Sequence, residues 1–235
     1  MKLKLTPLYV VSFVCLSFFI MELHEWAHTV VVALVSGSWG LRGFDRWDFP
    51  ANISISNGQR ALATLAGPLI NIILIWLGWT KMANRDSLAD QSIGCSLVLA
   101  SMPFGLLLAA VTGGGDLTIG LKLLFSHTDV RHHHLMASIG LAIALLVCVP
   151  ALVRIFMIMP SWQGRYIFFP IFVVAPVYVH RLFVHDLLNG LLTKSGVDDG
   201  LAYFCVLLWT AALLAGWLLT RRRMEMLLVD QELPL

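Results

Sequence analysis

Long apolar runs separated by short polar connections set the pattern of this chain. Six of them, at 7–35, 61–79, 93–115, about 135–159, about 165–190 and 201–220, are near the roughly 20 residues a helix needs to cross a hydrocarbon core. The last stops at Arg221-Arg222-Arg223. The pattern predicts an all-α polytopic membrane protein with about six transmembrane helices, a single membrane domain over 1–235. Connection 36–60 is the one long polar stretch near the first run. Its Gly40, Gly43 and Pro50 precede Asn52-Ile53-Ser54-Ile55-Ser56, an alternating run closed by Asn57-Gly58, a turn dipeptide. That reads as a short strand-bearing hairpin or re-entrant loop lying against the membrane.

Composition agrees with the pattern. The 235 residues are 58% hydrophobic and 13% charged, whereas a soluble domain needs far more polar surface. The lipid bilayer is therefore the expected surroundings. A formal net charge of +2, with no basic face interleaved with aromatics, gives no footing for nucleic acid. Cys15, Cys95, Cys148 and Cys205 fall in apolar runs without a CxxC and read as packed thiols. Lys2 and Lys4 precede the first run, which has no small-x-small cleavage site and reads as a retained anchor. An even number of spans puts both termini on one side. Lys2, Lys4, Lys81, Arg85 and Arg221 to Arg223 favour the cytoplasm for that side. Arg42, Arg46, Arg60, Lys122, Arg131 and Lys194 fall on the other, so the asymmetry is shallow. Trp39, Trp47, Trp76, Trp79 and Trp162 cluster near span ends, as interfacial anchors do.

The chemistry concentrates in His24-Glu25-Trp26-Ala27-His28, inside the first run. Residues four apart share a helix face, so His24 and His28 can hold one Zn²⁺ together with a third ligand and a water. Glu25 follows the first ligand directly, where it can reach that water as general base. Charged groups at bilayer depth cost a few kcal/mol each, and a metal gives these three a joint reason. The expected third ligand is Asp116, after Gly113-Gly114-Gly115 at the close of the third span. Glycines let the backbone turn and a carboxylate face inward. Asn71 lies about ten residues, roughly 15 Å, inside the oppositely directed second span, which puts it at the same depth. It can donate to a substrate carbonyl or oxyanion, or it can make an interhelical hydrogen bond beside Gly67-Pro68. His127, Asp129, His132, His133 and His134 crowd one polar connection and read as a solvated loop. His180, Arg181, His185 and Asp186 are dense for a spanning segment. They either line an aqueous path to the metal or pair locally at the interface.

These residues resemble the site-2 protease family of intramembrane zinc metalloproteases. Its members carry an HExxH in a spanning helix, matched by His24 to His28, and an A-G-P-x-x-N stretch opening the next span, matched by Ala66 to Asn71. A strand-bearing membrane loop separates the two motifs in the family, as 36–60 does here. The family's third ligand is an aspartate in an L-D-G stretch. Asp116 is its counterpart, with Gly115 in place of the leucine and Leu117 in place of the glycine. The resemblance covers 7–120, with additional spans over 121–235. It implies hydrolysis of a peptide bond in or near a substrate's transmembrane helix, with Zn²⁺ on His24, His28 and Asp116 and with Glu25 and Asn71 catalytic. A helical substrate must unwind locally to expose a carbonyl, and the expected strand in 36–60 can pair with the extended segment. The rival expectation is a zinc-bearing relative without proteolytic activity, a structural or regulatory subunit of a membrane complex. A metal transporter is the weaker rival, since no inverted repeat is visible.

Overall fold

Apolar helices that cannot hide their backbone groups from lipid in any other way make up nearly all of the computed structural model, which describes residues 2–125, 130–194 and 198–229. Six helical stretches are long and apolar enough to span: Pro7–Ser36, Asn57–Ala83, Leu88–Val111, His132–Ile158, Gly164–Leu192 and Asp199–Met226. The protein is thus an all-α membrane protein, and each expected span is present within a few residues of its sequence-read bounds. The chain ends meet: β1 (Lys2–Leu3) pairs antiparallel with β4 (Leu228–Val229). Both ends of the described chain therefore lie at one end of the bundle, as an even number of crossings requires.

Local chemistry sets the boundaries. Helix α1 (Pro7–Ser36) starts where the Thr6 hydroxyl accepts from Tyr9 N and Pro7 takes the first position, and it stops at left-handed Gly37. Two strands follow, β2 (Leu41–Arg42) and β3 (Trp47–Asp48), paired antiparallel as a small hairpin. This corrects the expected strand at 52–56. Ser56 and Gln59 instead form a capping box that opens α2 (Asn57–Ala83), so Asn57-Gly58 is the first helical turn rather than a hairpin turn.

The third span is not one helix. It breaks between α3 (Leu88–Ala100) and α4 (Pro103–Val111) at Met102, whose φ of 51° is left-handed. Pro103 disfavours helical geometry in the residue before it, which explains the break. Gly113 (φ 69°) and Gly115 (φ 73°) then turn the chain into α5 (Gly115–Leu124). Asp116 accordingly opens α5 instead of closing the third span. Helix α6 (Val130–Ile158) forms the fourth span, and the fifth combines α7 (Phe169–His180), a π-helical segment over Arg181–Asn189 and α8 (Gly190–Lys194). Helix α9 (Asp199–Thr220) is the sixth and continues as a 3₁₀ turn over Arg221–Met226.

The main core lies toward the end where the chain termini meet. Tyr9, Phe13, Phe168 and Phe172 pack ring on ring there, against Leu99, Ile155 and Met159. The Tyr9 hydroxyl bonds Ser96 Oγ at 3.0 Å, so this buried phenol is satisfied. The buried polar groups His24, Glu25, His28, Arg42 and Asn71 lie further along α1 and α2 and in the hairpin.

Candidate metal centre

Helix α1 presents His24 and His28 on one face, their ring centroids 4.8 Å apart and both rings buried. What each ring does with its other nitrogen decides what it offers. His28 Nδ1 lies 2.6 Å from the carbonyl oxygen of Ala63, which can only accept, so Nδ1 carries the proton. His24 Nδ1 lies 3.3 Å from Asn71 Oδ1. The Asn71 amide is held in that sense by its own Nδ2, which donates to Ser101 O at 3.3 Å. Both imidazoles are thereby set with Nδ1–H engaged and the Nε2 lone pair free, the arrangement in which outer hydrogen bonds orient metal-ligating histidines.

The two Nε2 atoms face one oxygen. Asp116 Oδ2 lies 3.2 Å from His24 Nε2 and 3.4 Å from His28 Nε2. Three ligand atoms about 2.1 Å from a common tetrahedral centre stand roughly 3.4 Å apart, so the spacing suits Zn²⁺. With both rings neutral, three lone pairs converge, an arrangement able to hold a cation. The helix opposite makes room for the ring tips. A Cβ placed on Gly67 would lie 2.6 Å from His24 Nε2 and closer still to His28 Nε2. The next residue, Pro68, has no N–H to give its own helix, so Thr64 O, one residue after the acceptor of His28, loses its helical partner. The second span thus serves the imidazoles twice: Gly67 gives them space, and Ala63, three residues before the Ala-Gly-Pro run, gives His28 its acceptor.

Glu25 adds a third donor on α1. It offers an oxygen within 4.8 Å of atoms of both histidines. It is buried, and its Oε2 has no hydrogen-bond partner among the described residues. Sequence reading missed its neighbours. Arg42, delivered by strand β2, is fully buried, donates to Glu22 Oε2 at 2.7 Å and stands 4.0 Å from Glu25 Oε2. Its guanidinium also lies 5.7 Å from the centre of the Trp26 ring. Glu22 is a second acid in the first span, three residues before Glu25, and an acid so placed in lipid needs a cation from elsewhere in the chain. That was the available signal.

A cavity of about 420 Å³ opens in front of these groups. His24, Glu25, Asn71 and Asp116 form one wall, and His180, Arg181 and His185 of the fifth span belong to another. The dense ionisable cluster of that span therefore faces the candidate centre. His185 pairs with Asp45 of the hairpin at 2.8 Å rather than with Asp186. Asn71 lines the cavity, yet both ends of its amide are engaged by the protein, the interhelical alternative of the two read from sequence. His132, His133 and His134 stand on the opening turns of α6, outside the cavity wall, and His127 and Asp129 lie outside the described residues. Comparison of the chain with protein-family models, curated proteins and solved structures finds no match.

Proposed function

We propose that the protein is an intramembrane zinc metalloprotease, similar to the site-2 protease family, that hydrolyses a peptide bond in or near a transmembrane segment of a membrane-protein substrate. One observation carries the reading: two histidines with Nδ1–H engaged turn Nε2 toward the same Asp116 oxygen, across a space kept open by Gly67. Charge supports it independently. Glu25 and Asp116 bring two carboxylates to the histidines, while the guanidinium of Arg42 is engaged by Glu22 at 2.7 Å.

His24, His28 and Asp116 would hold the ion. When bound, Zn²⁺ supplies a polarised scissile carbonyl and an acidified water. Glu25, buried and with no hydrogen-bond partner for its Oε2 among the described residues, takes a proton from the attacking water and passes it to the leaving amine. Asn71 acts through His24 by fixing its ring, so it is a positioning residue here and not an oxyanion donor. His180, Arg181 and His185 keep the cavity polar enough to admit water to a site below the lipid surface.

The test uses the full chain reconstituted with a membrane-anchored reporter. Glu25→Gln keeps zinc and loses cleavage by roughly 10²- to 10⁴-fold, the usual contribution of a general base. Asp116→Ala lowers zinc content as well. Unchanged cleavage in Glu25→Gln removes the protease mechanism. Stoichiometric zinc with no cleavage of even an unwound peptide would point to the non-proteolytic subunit.

A further inference from the structure

Away from the candidate centre, at the end where the chain termini meet, three arginines from three elements line one cavity. Arg85 sits in the turn between α2 and α3, Arg154 in the last turns of α6, and Arg165 at the start of the fifth span. The cavity measures about 540 Å³ and is completed by Gln91 and the apolar stretch Met157, Ile158, Met159 and Pro160. Among the described residues, no carboxylate belongs to its lining. A neighbouring cavity at the same end, which holds Arg222 and Arg223, includes Glu225 and is partly compensated.

Two of the three guanidinium groups are held in place before any ligand arrives. Arg154 Nη2 donates to Met82 O at 3.1 Å, and Arg165 Nε donates to Met159 O at 3.1 Å. Arg165 also lies 5.9 Å from the centre of the Phe156 ring. Each keeps further N–H donors, and a fixed guanidinium matches phosphate oxygens better than a mobile ammonium does. Arg85 is exposed and makes no hydrogen bond among the described residues. Asp86 follows Arg85 in the same turn and makes no ion pair among the described residues, and Asp90 of α3 is engaged by Lys81 at 3.1 Å and by Asn84 at 2.8 Å. The positive charge in the cavity is therefore not neutralised from α3.

We propose that Arg85, Arg154 and Arg165 form a site for a phosphate-bearing anion, namely the headgroup of an anionic phospholipid whose chains lie along the apolar wall at Met157 to Pro160. Position argues for lipid over a soluble phosphate. Arg154 is four residues from the end of its span and Arg165 is the second residue of the next, so both stand at headgroup level. Basic pockets between spanning helices at that level suit such headgroups. The ligand would bridge the α2–α3 turn, α6 and the fifth span, whose other end faces the candidate centre.

Native mass spectrometry of the detergent-solubilised full chain tests this, with phosphatidylglycerol, phosphatidylcholine or inorganic phosphate added. Phosphatidylglycerol is expected to be retained over phosphatidylcholine, with about five-fold weaker retention for each arginine replaced by Gln. Arg222→Gln with Arg223→Gln, at the same end but outside this cavity, leaves retention unchanged. Arg154 and Arg165 also bond helix-end carbonyls, so Arg85→Gln, which breaks no such bond, is the decisive single variant if the others do not fold. Equal retention of the two lipids, or no loss in Arg85→Gln, overturns the proposal. Inorganic phosphate that binds and displaces phosphatidylglycerol overturns the lipid assignment.

Discussion

Gly67 tolerates no side chain, because the two imidazole Nε2 atoms already occupy the contact distance of a Cβ. Gly67→Ala is therefore expected to abolish zinc retention, measured by metal analysis of purified protein. The overpacking itself costs about 1–3 kcal/mol, visible as a lower unfolding midpoint. Normal zinc content in that variant would remove the space between α1 and α2 as the ion's position. Arg42 has a different kind of necessity. Its side chain is wholly buried against Glu22, so Arg42→Met strands a buried carboxylate and should cost about 3–5 kcal/mol. Adding Glu22→Gln removes the stranded charge and recovers most of that loss in thermal unfolding. A double variant as unstable as the single would mean that the packing of Arg42 on Trp26, not its charge, holds the hairpin.

Besides α4 and α5, the hairpin and the π-helical segment of the fifth span reach the site from outside the first two spans, and these two are tied together. Asn189 Oδ1 accepts from Phe44 N at 2.9 Å, its Nδ2 donates to Asp45, and Asp45 meets His185. π-helical turns recur at functional sites, and this one brings Asn189 and His185 both to the hairpin. Asn189→Ala is expected to raise hydrogen exchange over 41–48 while leaving exchange in α1 and α2 unchanged. None of this was legible in the sequence. Strands of two residues leave no alternation to detect, and the alternation at 52–56 belongs to a capped helix start instead. The break at Met102 does not show in hydropathy, which runs through it unbroken; its mark in the sequence is Pro103. Irregular backbone at membrane depth survives where protein or a cavity takes up its polar groups. Asn71 takes up Ser101 O beside this break, and Met102 lines the cavity.

At the scale of the whole molecule, the six spans were legible because lipid forces every crossing segment to be long and apolar, and that demand is written residue by residue. The shared depth of His24, His28 and Asn71 was legible by counting residues inward from the span ends, whereas Asp116 joins them from α5, outside the third span that the count gave it. The pairing of Glu22 with Arg42 was not, since it depends on how a polar connection folds back over α1. Orientation follows from the same span count. Lys2, Lys4, Lys81, Arg85, Arg154, Arg165 and Arg221 to Arg223 all lie at the end where β1 meets β4. Arg154 and Arg165 deepen the asymmetry read from the connections, and positive charge near span ends favours the cytoplasmic face. If that bias sets the orientation, both termini are cytoplasmic and the hairpin end, with the candidate centre, opens to the other side. Cys15, Cys95, Cys148 and Cys205 are free thiols within spans and can be replaced by Ala to give a silent background. A single Cys at position 85 should then react with a membrane-impermeant thiol reagent only after the membrane is opened, and one at position 46 should react in intact cells. The reverse labelling would turn the molecule over and put the candidate centre toward the cytoplasm. Labelling of both positions from one side would contradict the even count of crossings, and with it the shared depth of the histidines and Asp116.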